Sequence, residues 1–152
     1  MDFTIPEPLT LEHTDLHRHL RVALDAGDDV AAAARAVIEA LHPHFVREEQ
    51  IAMPPLALLA PLSRGEFEPA MVEVLVMTDA LRAELPRMLA EHEAIKAALG
   101  RMKAAALAAG RDDIAAFADS VVLHARTEEE VLYPASLLVG ELVRAKAGRA
   151  GG

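Results

Sequence analysis

The sequence predicts an all-α protein, an up-and-down four-helix bundle with a short extra helical connection between the second and third helices. Of its residues, 53% are hydrophobic but only 3% are aromatic. β-Strands favour aromatic and β-branched side chains, whereas the abundant alanine favours helices. Apolar residues recur at alternating steps of three and four, the period of an amphipathic helix. A chain of 152 residues fits one domain, and we expect a core over about residues 8–140 and a frayed tail over residues 145–152.

Glycine and proline residues divide the chain into its predicted helices. The first helix is expected over residues 8–26, because Gly27 follows its apolar stripe. The second is expected from residue 28 to about residue 53, and Pro43 is expected to kink it, since proline lacks the N–H that an interior helical position donates. These two helices form the first half of the bundle.

The second half follows a proline-punctuated connection, PPLALLAPLSRGEF, which is expected to contain a helical turn. The third helix is expected over residues 69–109, with an interruption near Pro86. The last helix is expected over residues 112–132, because aspartates at its start can cap it and Pro134 ends or kinks it. The pattern therefore predicts two pairs of helices.

Each predicted helix carries a histidine on the line of residues that should face the core. In the second and last helices a glutamate follows this histidine by four residues, and such positions lie about 5–6 Å apart on one helical face. The line in the last helix continues to Val131. The polar residues on these lines are His13, His44, Glu48, His92, His124 and Glu128, with His17 at the edge of the first line.

The two halves of the chain are an approximate tandem repeat. HFVREEQIAMP, which begins at His44, has the same frame as HARTEEEVLYP, which begins at His124. Both have a histidine, two glutamates at the fourth and fifth following positions, and a proline at the tenth. Glu-His pairs at residues 12–13 and 91–92 match in the same way. The repeat predicts a pseudo-symmetric bundle in which each half supplies the same polar groups.

The two glutamates on these lines limit the roles that the polar residues can have. An ionised carboxylate in an apolar core is costly unless it is paired or bound to metal. One interpretation is a set of His–Glu hydrogen bonds that holds the bundle in register. The favoured interpretation is a two-metal site in which carboxylates bridge ions held by terminal imidazoles. The chain has no cysteine, so any metal must be bound by nitrogen and oxygen.

These motifs resemble those of the hemerythrin-like HHE cation-binding family over most of the chain. The resemblance implies a hemerythrin-like bundle around a di-iron centre with oxo or hydroxo and carboxylate bridges; zinc is the alternative metal. Carried over by position, the implied ligands are His13, His44, Glu48, His92, His124 and Glu128.

The sequence departs from the oxygen-carrying hemerythrins in two places. The carriers have HxxxH on the third helix, where this chain has Lys96 in the second place, and they have His-x-x-x-x-Asp on the last helix, where this chain has His-x-x-x-Glu. Here HxxxH lies on the first helix, as His13 and His17. We therefore expect His17 to be a seventh ligand, or else to flank the site and hydrogen-bond a ligand carboxylate. Metal binding is predicted; oxygen transport is not.

The charge of the chain excludes several classes of partner. A formal net charge of −9 argues against nucleic-acid binding and against attachment to an anionic membrane.

The first residues, MDFTIPEPLT, lack the basic and apolar regions of a signal peptide, and the most apolar run is too short to span a bilayer. We therefore expect a cytoplasmic protein.

The predicted function is that of a non-haem di-iron protein that binds or senses a small oxidant such as dioxygen, peroxide or nitric oxide. A binding protein is favoured over an enzyme. The first alternative is a di-iron enzyme in peroxide removal, iron delivery or iron–sulfur repair. The second is a bundle that binds zinc for stability alone.

Overall fold

The computed structural model describes residues 1–150, and for Ala150 the backbone only. Within this range the chain forms helices and no strand, which confirms the all-α bundle. The α-helices are α1 (Glu7–Leu24), α2 (Asp28–Ile51), α3 (Leu59–Ser63), α4 (Leu75–Ala108), α5 (Asp112–Thr127) and α6 (Tyr133–Ala150). The expected connection over residues 54–67 contains a 3₁₀ segment, Pro54–Leu58, followed by α3. A second 3₁₀ segment, Pro69–Val74, forms the start of the predicted third helix, and a π-helical segment, Glu128–Leu132, joins α5 to α6.

Helices α1, α2, α4 and α5 form the walls of the bundle, and each packs against the next. The turns at residues 25–27 and 109–111 are only three residues long, so the helices that they join are antiparallel neighbours. Gly27 has a φ of 102°, in the left-handed region that glycine enters without steric strain. The bundle closes where α5 meets α1.

The two prolines inside α2 and α4 do not end these helices. Pro43 and Pro86 are both exposed, and each helix continues on either side of its proline. The expected interruption of the third helix near Pro86 is therefore wrong. Most of the stability of a helix in a protein comes from packing of its apolar face, which outweighs the loss of one backbone hydrogen bond.

The last helix differs from its prediction in a way that matters for the site. It passes Pro134 through the π-helical segment, in which the Tyr133 N–H donates to the Glu128 carbonyl, five residues back. The wider turn rotates the following side chains, so Val131, expected to face the core, is 56% exposed, and Tyr133 is buried instead. Helix α6 continues to Ala150, and the last two residues of the expected tail lie outside the described residues.

The core has a main part and two smaller parts. The main cluster lies between all four walls. One smaller cluster packs α6 against α3 and the 3₁₀ segments, and the other packs α4 against α6 and the end of α2. Helix α6 approaches α4 closely at Gly140, where an added Cβ atom would lie 2.8 Å from the Cβ of Thr78. None of the helices in the described part of the chain has the length and apolarity that crossing a membrane requires.

Candidate metal centre

Six of the seven residues predicted for the site converge inside the bundle. Each is at most 6% exposed, so the centre is sealed from bulk water. They come from α1, α2, α4, α5 and the π-helical segment, and they lie between the main core and the cluster that contains Ile51, Leu81 and Tyr133. The six residues are His13, His44, Glu48, His92, His124 and Glu128.

Their side chains form two groups, each compact enough to hold one metal ion. Within each group the candidate ligand atoms lie within 4.8 Å of one another. Glu128 belongs to both groups, so it can bridge two ions. Position A consists of His44, Glu48, His92 and Glu128, and position B consists of His13, His124 and Glu128.

Position A has the geometry of ligands around a common ion. The Nε2 atoms of His44 and His92 lie 2.8 Å apart. Glu48 Oε1 is 3.3 Å from His44 Nε2, and Glu128 Oε2 is 3.2 Å from His92 Nε2. Two imidazole nitrogens bound at right angles, each about 2.1 Å from an ion, would lie about 3 Å apart. The observed separation matches this arrangement.

Position B contains three buried polar atoms that have no hydrogen-bond partner within residues 1–150: Nε2 of His13, Nε2 of His124 and Oε1 of Glu128. Oε2 of Glu48, a residue of position A, also has no such partner and lies 3.6 Å from His13 Nε2. Glu128 Oε1 lies 2.7 Å from His124 Nε2 and 3.6 Å from His13 Nε2, but neither approach has the geometry of a hydrogen bond. Burying one such group without a partner costs about 1–3 kcal/mol. A single cation at position B would satisfy the atoms of His13, His124 and Glu128 together.

Each of the four histidines turns its other ring nitrogen towards a glutamate on the next wall of the bundle. The contacts run from α1 to α2, from α2 to α4, from α4 to the π-helical segment and from α5 back to α1, so they form a closed ring. Histidines that bind metals usually have such a partner, which fixes the ring orientation. The Nδ1–oxygen pairs are His13–Glu49 (3.2 Å), His44–Glu91 (2.7 Å), His92–Glu129 (2.8 Å) and His124–Glu12 (2.9 Å).

These carboxylates determine which ring nitrogen carries the proton. An ionised carboxylate only accepts hydrogen bonds, so the Nδ1 atom that faces it must donate, and a neutral imidazole then has its lone pair on Nε2. In His44 and His92 the two lone pairs would face each other at 2.8 Å. Such an arrangement needs a cation, either a proton or a metal ion, between the two nitrogens.

The pKa values around the centre show the same demand for positive charge. Burial lowers the pKa of His44, but the carboxylates of Glu48 and Glu91 outweigh it and raise the pKa to about 9. The pKa of His124 is also raised to about 9, since Glu128 and Glu12 outweigh burial. Burial would raise the pKa of Glu128, but the surrounding histidines hold it well below its usual range. Protons are therefore held tightly where a metal ion would bind.

Tyr133 also joins the centre, although it does not stand on the line of histidine and glutamate residues in its predicted helix. Its hydroxyl donates to Glu48 Oε1 and lies 3.3 Å from His44 Nε2 and 3.2 Å from His92 Nε2. Burial, followed by the negative charges of Glu48 and Glu128, raises its pKa above the usual range, so it keeps its proton. The π-helical segment is what turns this side chain inward.

His17, the seventh predicted residue, is not brought to the centre. Its ring lies edge-on to Phe45, at a centroid distance of 5.4 Å, and 6.2 Å from the ring of the exposed His42. Phe45 is itself stacked on His13, at 3.8 Å, and therefore stands between His17 and the ligands. His17 belongs to neither metal position. The geometry gives no support to its expected role as a ligand.

The fold and this cluster define the class of the protein, a helical bundle whose core can hold metal. The family model described as the hemerythrin HHE cation binding domain matches residues 4–136 of the chain. The chain therefore belongs to the hemerythrin HHE family. No match was found among curated proteins or among solved structures.

Proposed function

We propose that this is a cytoplasmic protein that holds two iron ions, bridged by glutamate, and uses them to bind or sense a small oxidant such as dioxygen, peroxide or nitric oxide. The observation that carries the proposal is the set of three buried atoms of position B, on His13, His124 and Glu128, that have no hydrogen-bond partner within residues 1–150, beside a second position that shares Glu128. One ion cannot satisfy both groups, whereas two ions with a shared carboxylate can.

The donor set favours iron over a purely structural zinc ion. Imidazole and carboxylate together suit iron, and carboxylates readily bridge two such ions. Structural zinc sites are commonly tetrahedral sets that include cysteine, and this chain has none. Bound iron supplies the electrons and the Lewis acidity that are needed to bind dioxygen, peroxide or nitric oxide.

The residues around the centre limit what can reach it. The six ligands are at most 6% exposed, so only a molecule of a few atoms can enter through fluctuations of the bundle. The ring of outer carboxylates holds each imidazole with its Nε2 atom inward, which prepares both positions before metal arrives. These features support a small ligand rather than an organic substrate.

A second candidate, a peroxide-consuming enzyme, is favoured by Tyr133. Its protonated hydroxyl lies at position A and donates to Glu48, and from there it could donate a hydrogen bond to a small oxidant held beside it. If this candidate is right, iron-loaded protein will consume hydrogen peroxide catalytically, and Tyr133→Phe will lower the rate while retaining the metal.

Metal analysis tests the main proposal directly. Protein purified without added metal, chelator or acid should contain close to two iron atoms per chain. The reduced protein should then change its absorption spectrum on addition of dioxygen or nitric oxide. Protein that contains no metal would refute metal binding, and protein that retains only zinc and is inert to both gases would refute the proposed function in favour of a structural role.

A further inference from the structure

The outer carboxylates of the two metal positions differ in charge environment. Behind position A, Glu129 Oε1 accepts from both His92 Nδ1, at 2.8 Å, and Lys96 Nζ, at 3.0 Å. Glu91 accepts from His44 through one oxygen and from Arg87, at 2.9 Å, through the other. Both carboxylates of position A are therefore paired with a cationic side chain.

Position B has no such cations. Among residues 1–150, Glu12 forms an ion pair only with His124, and Glu49 only with His13. The repeat places His17 where the second half has Lys96. Burial, followed by the charges of His42 and His13, lowers the pKa of His17, and His17 forms no ion pair within residues 1–150.

This difference changes the donor strength of the histidines. A carboxylate on Nδ1–H makes an imidazole more basic and a stronger metal ligand. A cation paired with that carboxylate reduces this increase in basicity, and its positive charge repels a metal ion bound nearby. Lys96 is the stronger of the two cations in this respect, because it is only 23% exposed whereas Arg87 is 74% exposed. Lys96 also contacts the exposed Glu93, which leaves the sign of its effect unchanged.

We propose that Lys96 is a positioning residue that makes the two metal positions unequal, by weakening the hold of position A on a divalent ion while position B is unaffected. This inference rests on the proposed metal centre but goes beyond it, since it assigns a role to a side chain that touches no ligand atom. An ion held at position A would be the more electron-poor of the two, and Tyr133 lies beside that position.

The chain provides its own reporter for position A. It contains one tyrosine and no tryptophan, so emission excited at wavelengths that phenylalanine does not absorb arises from Tyr133 alone. Because its hydroxyl contacts the ligand atoms of position A, its emission should follow the filling of that position. Zinc, which is redox-inert, is a suitable probe, and calorimetry measures both binding steps at the same time.

The experiment compares four variants with the wild type after removal of metal. Lys96→Gln should bind zinc at position A about threefold or more tightly, a fraction of the 10–100-fold effects that outer partners of metal ligands have. Lys96→Arg, which keeps the cation, should stay at the wild-type affinity. His17→Lys, which installs the cation behind position B, should weaken the other step. Lys103→Gln, which removes a lysine paired with the exposed Asp119, is the matched control.

The outcomes separate this inference from the proposal on which it rests. Wild-type protein that binds no zinc would refute the metal centre itself. Protein that binds two zinc ions but shows equal affinities for wild type, Lys96→Gln and Lys96→Arg would refute the role of Lys96 alone. Weaker binding in both Lys96 variants would also refute it, because a merely structural role predicts that result.

Discussion

Replacement of Glu128 by glutamine should disable both metal positions at once. Glu128 is the one residue that belongs to both groups, and its carboxylate lies 2.7 Å from His124 Nε2, 3.2 Å from His92 Nε2 and 3.6 Å from His13 Nε2. Glutamine keeps the size of the side chain but removes its charge. We expect Glu128→Gln to lose at least one of its two ions and to bind the other more weakly.

The same change should destabilise the metal-free protein. Glu128 is 1% exposed and is the anionic partner of buried histidines, and removal of one member of a buried ion pair costs about 3–5 kcal/mol. For a domain of this size, 1 kcal/mol lowers Tm by roughly 2–4 °C, so the expected decrease is roughly 6–20 °C. Thermal unfolding in the presence of a chelator, followed by circular dichroism, measures it.

Glu130→Gln is the control for this experiment. Glu130 is two residues away on the same segment, but its side chain is 63% exposed, and within residues 1–150 its one ion pair is with Arg126 at the surface. Exposed ion pairs contribute about 0–1 kcal/mol, so metal content and Tm should stay close to wild type. If Glu128→Gln retains two ions and the wild-type Tm, or if both variants lose metal equally, the assignment of Glu128 as the bridge is wrong.

Three further changes test other parts of the structure. His17→Ala should retain all of its metal, whereas His44→Ala should not; equal metal loss in elemental analysis would place His17 among the ligands. For the metal-free protein, the pKa values of His44 and His124 are raised from 6.5 to about 9, so their stabilisation is complete below pH 6.5 and is lost as pH rises through 9. Its Tm should therefore fall from pH 6.5 to pH 9, and a Tm that rises over this range would contradict the ionised ring of carboxylates. Gly140→Ala should lower the free energy of unfolding by about 1–3 kcal/mol, because its new methyl group meets a buried threonine of α4. Gly100→Ala, whose methyl group would have no described atom within 4 Å, should not lower it. Similar denaturant midpoints for the two variants would disprove the close approach.

Much of the fold was predictable because the helical period and the chemistry of the core agree. His44, Glu48, His92 and His124 stand on lines of otherwise apolar residues, and all four are buried. When a histidine and a glutamate are buried at equivalent positions in both halves, a network of His–Glu hydrogen bonds and a metal site are the main roles that they can have. Composition and spacing were therefore enough to indicate both the bundle and the metal cluster.

The features that the sequence did not reveal depend on backbone geometry that a regular period does not encode. A single π-helical turn puts Tyr133 inside and Val131 outside, although the period of an α-helix predicts the reverse for Val131. His17 satisfies the spacing of a ligand, but the ring of Phe45 occupies the path to the centre. Only coordinates show that a neighbouring side chain is in the way.

The ring of outer carboxylates could be predicted only in part. The glutamates beside the ligands, such as Glu49 and Glu129, are visible in the repeat, but which histidine each one contacts depends on how adjacent helices are aligned. Each contact joins residues that are far apart in the chain, as in the pair His124 and Glu12. Recurrence at equivalent positions in both halves was the signal that could have predicted the ring.

The repeat also shows what joining the two halves in one chain makes possible. Each metal position has candidate ligands from both halves, so neither half could hold two metal ions by itself. A half-length chain would have to work as a homodimer, with its twofold axis between the two metal positions. In such a dimer any substitution appears twice, and the two ions must remain identical. Only a duplicated gene can place a tyrosine where the other half has Met53, or a lysine where it has a histidine. Covalent linkage would thus allow the two metal positions to differ in their chemistry.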